Sequence, residues 1–107
     1  MAITEEQVVA LKTKYPGVKL VELKHPNGTS VVVRKPGTHD YRKWADRKAD
    51  VDSRGTANQL LFQDCVVHPA GDELLRLIED LPALPDTFSQ DLLELAGAAV
   101  KTEKKEL

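Results

Sequence analysis

Val18-Lys-Leu-Val-Glu-Leu-Lys-His-Pro-Asn-Gly-Thr-Ser-Val-Val-Val-Arg-Lys-Pro36 is the stretch that decides the fold. Two runs rich in β-branched residues, Val18 to Lys24 and Thr29 to Lys35, flank His25-Pro26-Asn27-Gly28. Such runs favour the pleated, half-buried surface of a strand. Asn-Gly between them signals a hairpin, because both residues tolerate positive φ in a type I′ turn. That turn would set Val31 and Val33 against Lys24 and Glu22, with Val21, Leu23 and Val32 on one face. The pattern leaves open which face is buried. A lone two-stranded ribbon is only marginally stable, so it must pack on helices or gain a strand from a partner.

Helices are expected on both sides of the hairpin. Upstream, Thr4 and Gln7 have capping-box spacing and Ile3 with Val8 has staple spacing. Val8, Leu11 and Tyr15 then mark one face before Pro16-Gly17 stops the helix. Downstream, Pro36-Gly37 ends the hairpin, and Thr38 can cap a helix from Asp40 to Asp50 with Tyr41, Trp44 and Ala45 as its stripe. A third helix is expected from Thr56 to Val66, with Ala57, Leu60, Leu61 and Cys65 on one side. The fourth runs from Asp72 to Leu81 with Leu74, Leu75, Leu77, Ile78 and Leu81. The fifth runs from Asp86 to Val100 with Phe88, Leu92, Leu95, Ala96 and Ala99. The short Pro82 to Pro85 turn implies that the last two helices pack on each other. The reading is an α+β domain over residues 1–100, an N-terminal helix and β-hairpin followed by a small bundle of about four helices. A flexible charged tail, residues 101–107, is expected beyond it.

The chain has 107 residues, 41 % of them apolar, which suits one domain with a core. Its 15 basic and 17 acidic residues give a formal net charge of −2. Without a basic excess the chain is not expected to be a general nucleic-acid binder. A single cysteine, Cys65, excludes an internal disulfide framework. No signal peptide or membrane span is expected, since Glu5 and Glu6 interrupt the N-terminus and no apolar run reaches about 18 residues. The localisation implied is cytoplasmic.

Cys65 and His68, beside Asp64, invite a metal or nucleophilic reading. A zinc site needs about four ligands, and the other histidines, His25 and His39, fall in a hairpin turn and at a helix start. A Cys–His nucleophile needs a third group to orient the base, and none is identified. Burial of the thiol is the simpler expectation; no cofactor, metal or enzymatic activity is expected. Arg42, Lys43, Arg47 and Lys48, interleaved with Tyr41 and Trp44, could form a nucleic-acid face with stacking aromatics. Asp40, Asp46, Asp50 and Asp52 cut into that cluster.

The order of these signals resembles the tail assembly chaperone family of tailed phages and prophages. The resemblance rests on Val31-Val32-Val33-Arg34-Lys35-Pro36 leading into Tyr41-Arg42-Lys43-Trp44. It continues through Leu60-Leu61-Phe62-Gln63-Asp64-Cys65-Val66-Val67-His68-Pro69 and the paired C-terminal helices, covering about residues 18 to 97. It implies a non-catalytic chaperone that binds a tape-measure or tail-tube protein in the host cytoplasm and keeps it soluble until the tail assembles. The wide stripe of the last two helices and the free edges of the ribbon offer two docking places for such a client: near those helices, at Leu77, Leu81, Phe88, Leu92 and Leu95, or on the hairpin edge, at Val31 and Val33. Self-association stays open. The resemblance further implies a longer frameshifted product, with Glu103-Lys104-Lys105 able to be encoded by an adenine-rich run. The competing reading is a small nucleic-acid-binding regulator that uses the second helix.

Overall fold

The computed structural model describes residues 3–98 and 103–107. The chain runs α1 (Glu5–Lys14), β1 (Leu20–Lys24), β2 (Ser30–Arg34), α2 (Thr38–Ala49), a 3-10 turn (Arg54–Thr56), α3 (Ala57–Cys65), β3 (Val66–His68), α4 (Gly71–Asp80) and α5 (Leu84–Leu95). It is an α+β fold. The strands form one antiparallel sheet in the order β1-β2-β3.

The expected hairpin forms, but its register differs by one residue. Val21 pairs with Val33 and Leu23 with Val31. The cause lies in the turn. Pro26 presets φ for the second position of a turn, so the turn centres on Pro26-Asn27 and the His25 carbonyl accepts from the Gly28 N–H at 2.9 Å. Among the described residues positive φ is confined to glycines, and Gly28 takes +93°. The loop therefore has three residues, closed by the His25 N–H donating to the Thr29 carbonyl at 2.7 Å. A one-residue change of register exchanges which side chains meet across the pair. Val21, Leu23, Val31 and Val33 thus share the face that meets the core. No atom lies within 4 Å of a Cβ built on Gly28, so Gly28→Ala is expected to cost backbone strain alone, about 1 kcal/mol. Thermal melting should show a midpoint lower by several degrees; an unchanged midpoint would mean that the loop relaxes to another turn.

A second difference concerns Val66 and the two residues after it. The third helix stops at Cys65, and Val66–His68 extend β2 by a third strand, with Val32 opposite His68 and Val33 opposite Val66. Val66-Val67 are β-branched, and Pro69 holds His68 away from the helical region. The ribbon gains its missing strand from within the chain.

The helix caps follow local chemistry. At α1 the Thr4 N–H donates to Gln7 Oε1 at 2.9 Å and the Gln7 N–H to Thr4 Oγ1 at 3.2 Å, the expected reciprocal pair. At α2 the cap is Gly37 rather than Thr38, and Asp40 reaches back to accept the Gly37 N–H at 2.8 Å. Pro85 sits in the first turn of α5, where its missing N–H is harmless. Residues 99–100 of the expected fifth helix, and the start of the expected tail at 101–102, lie outside the described residues.

The core is Val31, Val33, Leu61, Phe62, Cys65, Leu84, Phe88 and Leu92. α5 packs chiefly on α3, and α3 on α2. The expected pairing of the last two helices is therefore corrected. α3 offers the fully apolar run Leu61-Phe62, whereas none of the α4 residues is fully buried. On the other side of the sheet, Val8 and Leu11 of α1 lie over Leu20 and Val32, leaving a cavity of about 240 Å³ between them.

Candidate functional site

The Tyr41–Lys48 region, read from sequence as a basic aromatic cluster, builds a polar clamp. Arg34, at the end of β2, donates from Nη1 to Asp40 Oδ2 at 2.7 Å and from Nη2 to Asp40 Oδ1 at 2.9 Å. Its Nη2 also donates to the Asp64 carbonyl at 2.8 Å. One guanidinium thus ties the sheet to α2 and to the last turn of α3. The guanidinium, with help from the Gly37 N–H, holds the Asp40 carboxyl down at about 2. Lys43 Nζ lies 3.1 Å and Arg47 Nη1 3.6 Å from Asp64 Oδ2. Two members of the basic cluster therefore face a carboxylate of the same chain. Trp44 is half-buried and donates from Nε1 to Asn58 Oδ1 at 2.9 Å. Tyr41, on the expected stripe beside it, is 43 % exposed and tilts against the Trp44 ring at 5.6 Å.

The residues of the metal and nucleophile readings do not converge. Cys65 is buried in the core, and burial pushes its thiol up to about 11. A protonated buried thiol is a poor nucleophile. His68 sits opposite Val32 on the other face of the sheet. His25 meets the edge of Phe88 at 6.4 Å, and His39 is exposed on α2. Among the described residues no three His, Cys, Asp or Glu side chains gather as a metal ion would require.

Of the residues expected to meet a client, four are interior. Val31, Val33 and Leu92 are fully buried and Phe88 is 2 % exposed. Both valines lie with Val21 and Leu23 on the sheet face that meets the core, and Phe88 and Leu92 of α5 pack against α3. These four are corrected to core positions. Leu77, Leu81 and Leu95 are half-buried at the edge of that core.

What remains open lies beside α4. Leu74, Leu77, Ile78 and Leu81 pack on the core without being fully buried, and Leu75 is 54 % exposed. One flank of the helix borders a groove of about 680 Å³ on the outer face of the sheet. Gln7 of α1 forms the opposite wall. Thr29, Ser30, His68 and Pro69 line its base, and Glu73, Arg76, Leu77 and Asp80 its α4 side. The volume lies in the range of ordinary ligand sites. Its parts come from four separate places in the chain, so no single spacing in the sequence reveals it.

This arrangement of sheet, clamp and helices lies almost wholly within one family match, which spans residues 9–105. The chain belongs to DUF6848, a domain of unknown function. The DUF6848 match runs from within α1 to beyond α5, so both the clamp and the α4 wall of the groove fall inside it. The fold is similar to that of the uncharacterised protein rbstp2171 from Bacillus stearothermophilus, with a TM-score of 0.72 and 22 % identity. The likeness covers 92 % of this chain and 99 % of that one. No curated protein matches the chain.

Proposed function

We propose that the protein is a non-catalytic holder of an apolar segment of another protein. The client class is a phage tape-measure or tail-tube protein, kept soluble in the host cytoplasm until tail assembly. The observation that carries this reading is α4. It is a strongly amphipathic helix with three apolar residues, Leu74, Leu77 and Ile78, and its cap residue Leu81 against the core, none of them fully covered, with Leu75 exposed and a groove at its side. Apolar surface left incompletely covered favours a partner. The resemblance described above supplies the client. The ion pairs from Lys43 and Arg47 to Asp64 weigh against the nucleic-acid alternative, since they engage half of the basic cluster. No helix among the described residues is long and apolar enough to cross a membrane.

The test is co-expression with a tape-measure protein and with a tail-tube protein encoded in the same gene neighbourhood. The soluble fraction of one of them is expected to rise severalfold, with the two chains co-purifying. Unchanged solubility of both would overturn the tail client.

A further inference from the structure

The groove beside α4 carries a linear pattern of charge along its α4 side. Glu73, Arg76, Leu77 and Asp80 are spaced three, four and seven residues apart, so they form one stripe along the helix. From Glu73 to Asp80 that stripe is about 10 Å long. The charges read negative, positive, negative. All three charged residues are exposed. No described residue forms an ion pair with any of them, even though Glu73 and Arg76 stand one turn apart. Leu77 on the α4 side and Pro69 in the base supply its apolar lining, with Ser30 and His68 beside Pro69 between α1 and α4.

We propose that this groove, on the outer face of the sheet between α1 and α4, docks an amphipathic helix of a partner protein. The helix carries a basic, an acidic and a basic residue one turn apart beside an apolar side chain. A helix fits because its own side chains recur at the same spacing as the stripe. The charge order follows by complementarity: the two carboxylates at the ends take the basic residues, and Arg76 takes the acid between them. The apolar side chain enters between Leu77 and Pro69. Charge pairs of this exposed kind set register and discriminate partners more than they set affinity. The inference rests on the holder reading for its client and adds where and how the client is read.

Two synthetic helical peptides with the same apolar stripe test it by fluorescence anisotropy at low salt. One carries Lys, Glu, Lys at one-turn spacing, the other Glu, Lys, Glu. The native protein is expected to bind the first about tenfold more tightly, the preference shrinking as salt rises. The triple variant Glu73→Lys, Arg76→Glu, Asp80→Lys should invert the order. Its three sites are exposed, and an unchanged melting midpoint checks that it is folded. Val51→Asp, at a position 80 % exposed beyond the end of α2, should leave the preference intact. Equal binding of the two peptides, binding of neither, or a triple variant with the native preference would overturn the groove. The client is tested separately. If the triple variant keeps a tail protein as soluble as the native protein does, the groove falls and the holder reading stands. If the peptides behave as expected but no tail protein is kept soluble, the groove stands and the tail client falls.

Discussion

Phe62→Ala is expected to lower stability by about 3–5 kcal/mol, a large part of what a domain of this size has. Phe62 is fully buried in α3. Its ring lies 6.1 Å from that of Phe88 and sits where the sheet valines meet α3 and α5. Truncation removes both the buried apolar area and the contacts of every neighbour around it. Those neighbours come from a sheet and two helices that cannot all close in together, so a cavity remains. Urea denaturation should show the midpoint falling with little change in slope. Val9→Ala, on the exposed side of α1 at 64 % exposure, should change stability by no more than about 0.5 kcal/mol. A Phe62→Ala protein as stable as the Val9→Ala protein would show that the core is not organised around α3.

The place of Phe62 is also where sequence reasoning runs short. Leu60-Leu61-Phe62 is a continuous apolar run, and a helical stripe through Ala57, Leu61 and Cys65 passes beside Phe62. Only the docking of α5 decides that Phe62 is inside and Leu60 half out. The hairpin shows the same limit. Strand content and the presence of a turn near Asn27-Gly28 are visible in Val18–Pro36, because β-branched residues and Asn-Gly act locally. The register is not, because Pro26 and Asn27 compete to lead the turn and the outcome shifts every pair by one. The shift places Val21 and Leu23 on the face of the two valines offered as a partner surface, and that joint apolar face meets the core. The strand Val66–His68 was hidden for a different reason: three residues are too few for a period, and their strand state comes from pairing with β2.

The clamp and the groove were legible to different degrees. Asp40 is visible as an acid near a helix start, and Arg34 as the cation ending a strand. Their meeting depends on how Pro36-Gly37 turns the chain, which is a tertiary fact. The basic residues of α2 stand out by composition, yet Asp64 of α3 draws two of them inward. The amphipathic stripe of α4 follows from its spacing alone. The groove next to it requires α1 to lie across the sheet and leave part of the outer face open. That depends on the sheet having a third strand.

Asp40→Asn is expected to lower stability by about 2 kcal/mol at neutral pH and by much less near pH 2. Asp40 accepts two hydrogen bonds from Arg34 and one from Gly37. Its side chain is 9 % exposed, and that of Arg34 30 %. Breaking a fully buried pair costs about 3–5 kcal/mol. Here the partly solvated guanidinium recovers some of its water, so the lower figure applies. The pH dependence follows from the depressed carboxyl, about 2 in the fold against the ordinary 3.8. Above the ordinary value the carboxylate is charged in both states, and its full contribution is present. As pH falls from about 5 toward 2, the unfolded chain takes up a proton before the folded one does, and the contribution is lost. Linkage sets that loss at about 1–2 kcal/mol after allowing for the exposure of Arg34. Asparagine does not titrate, so the variant should lack this component of the acid sensitivity. Urea midpoints of the two proteins, measured from pH 7 down to pH 2, should therefore converge. A gap that stays constant across that window would mean that the carboxylate holds Gly37 and Arg34 by shape alone, without its charge.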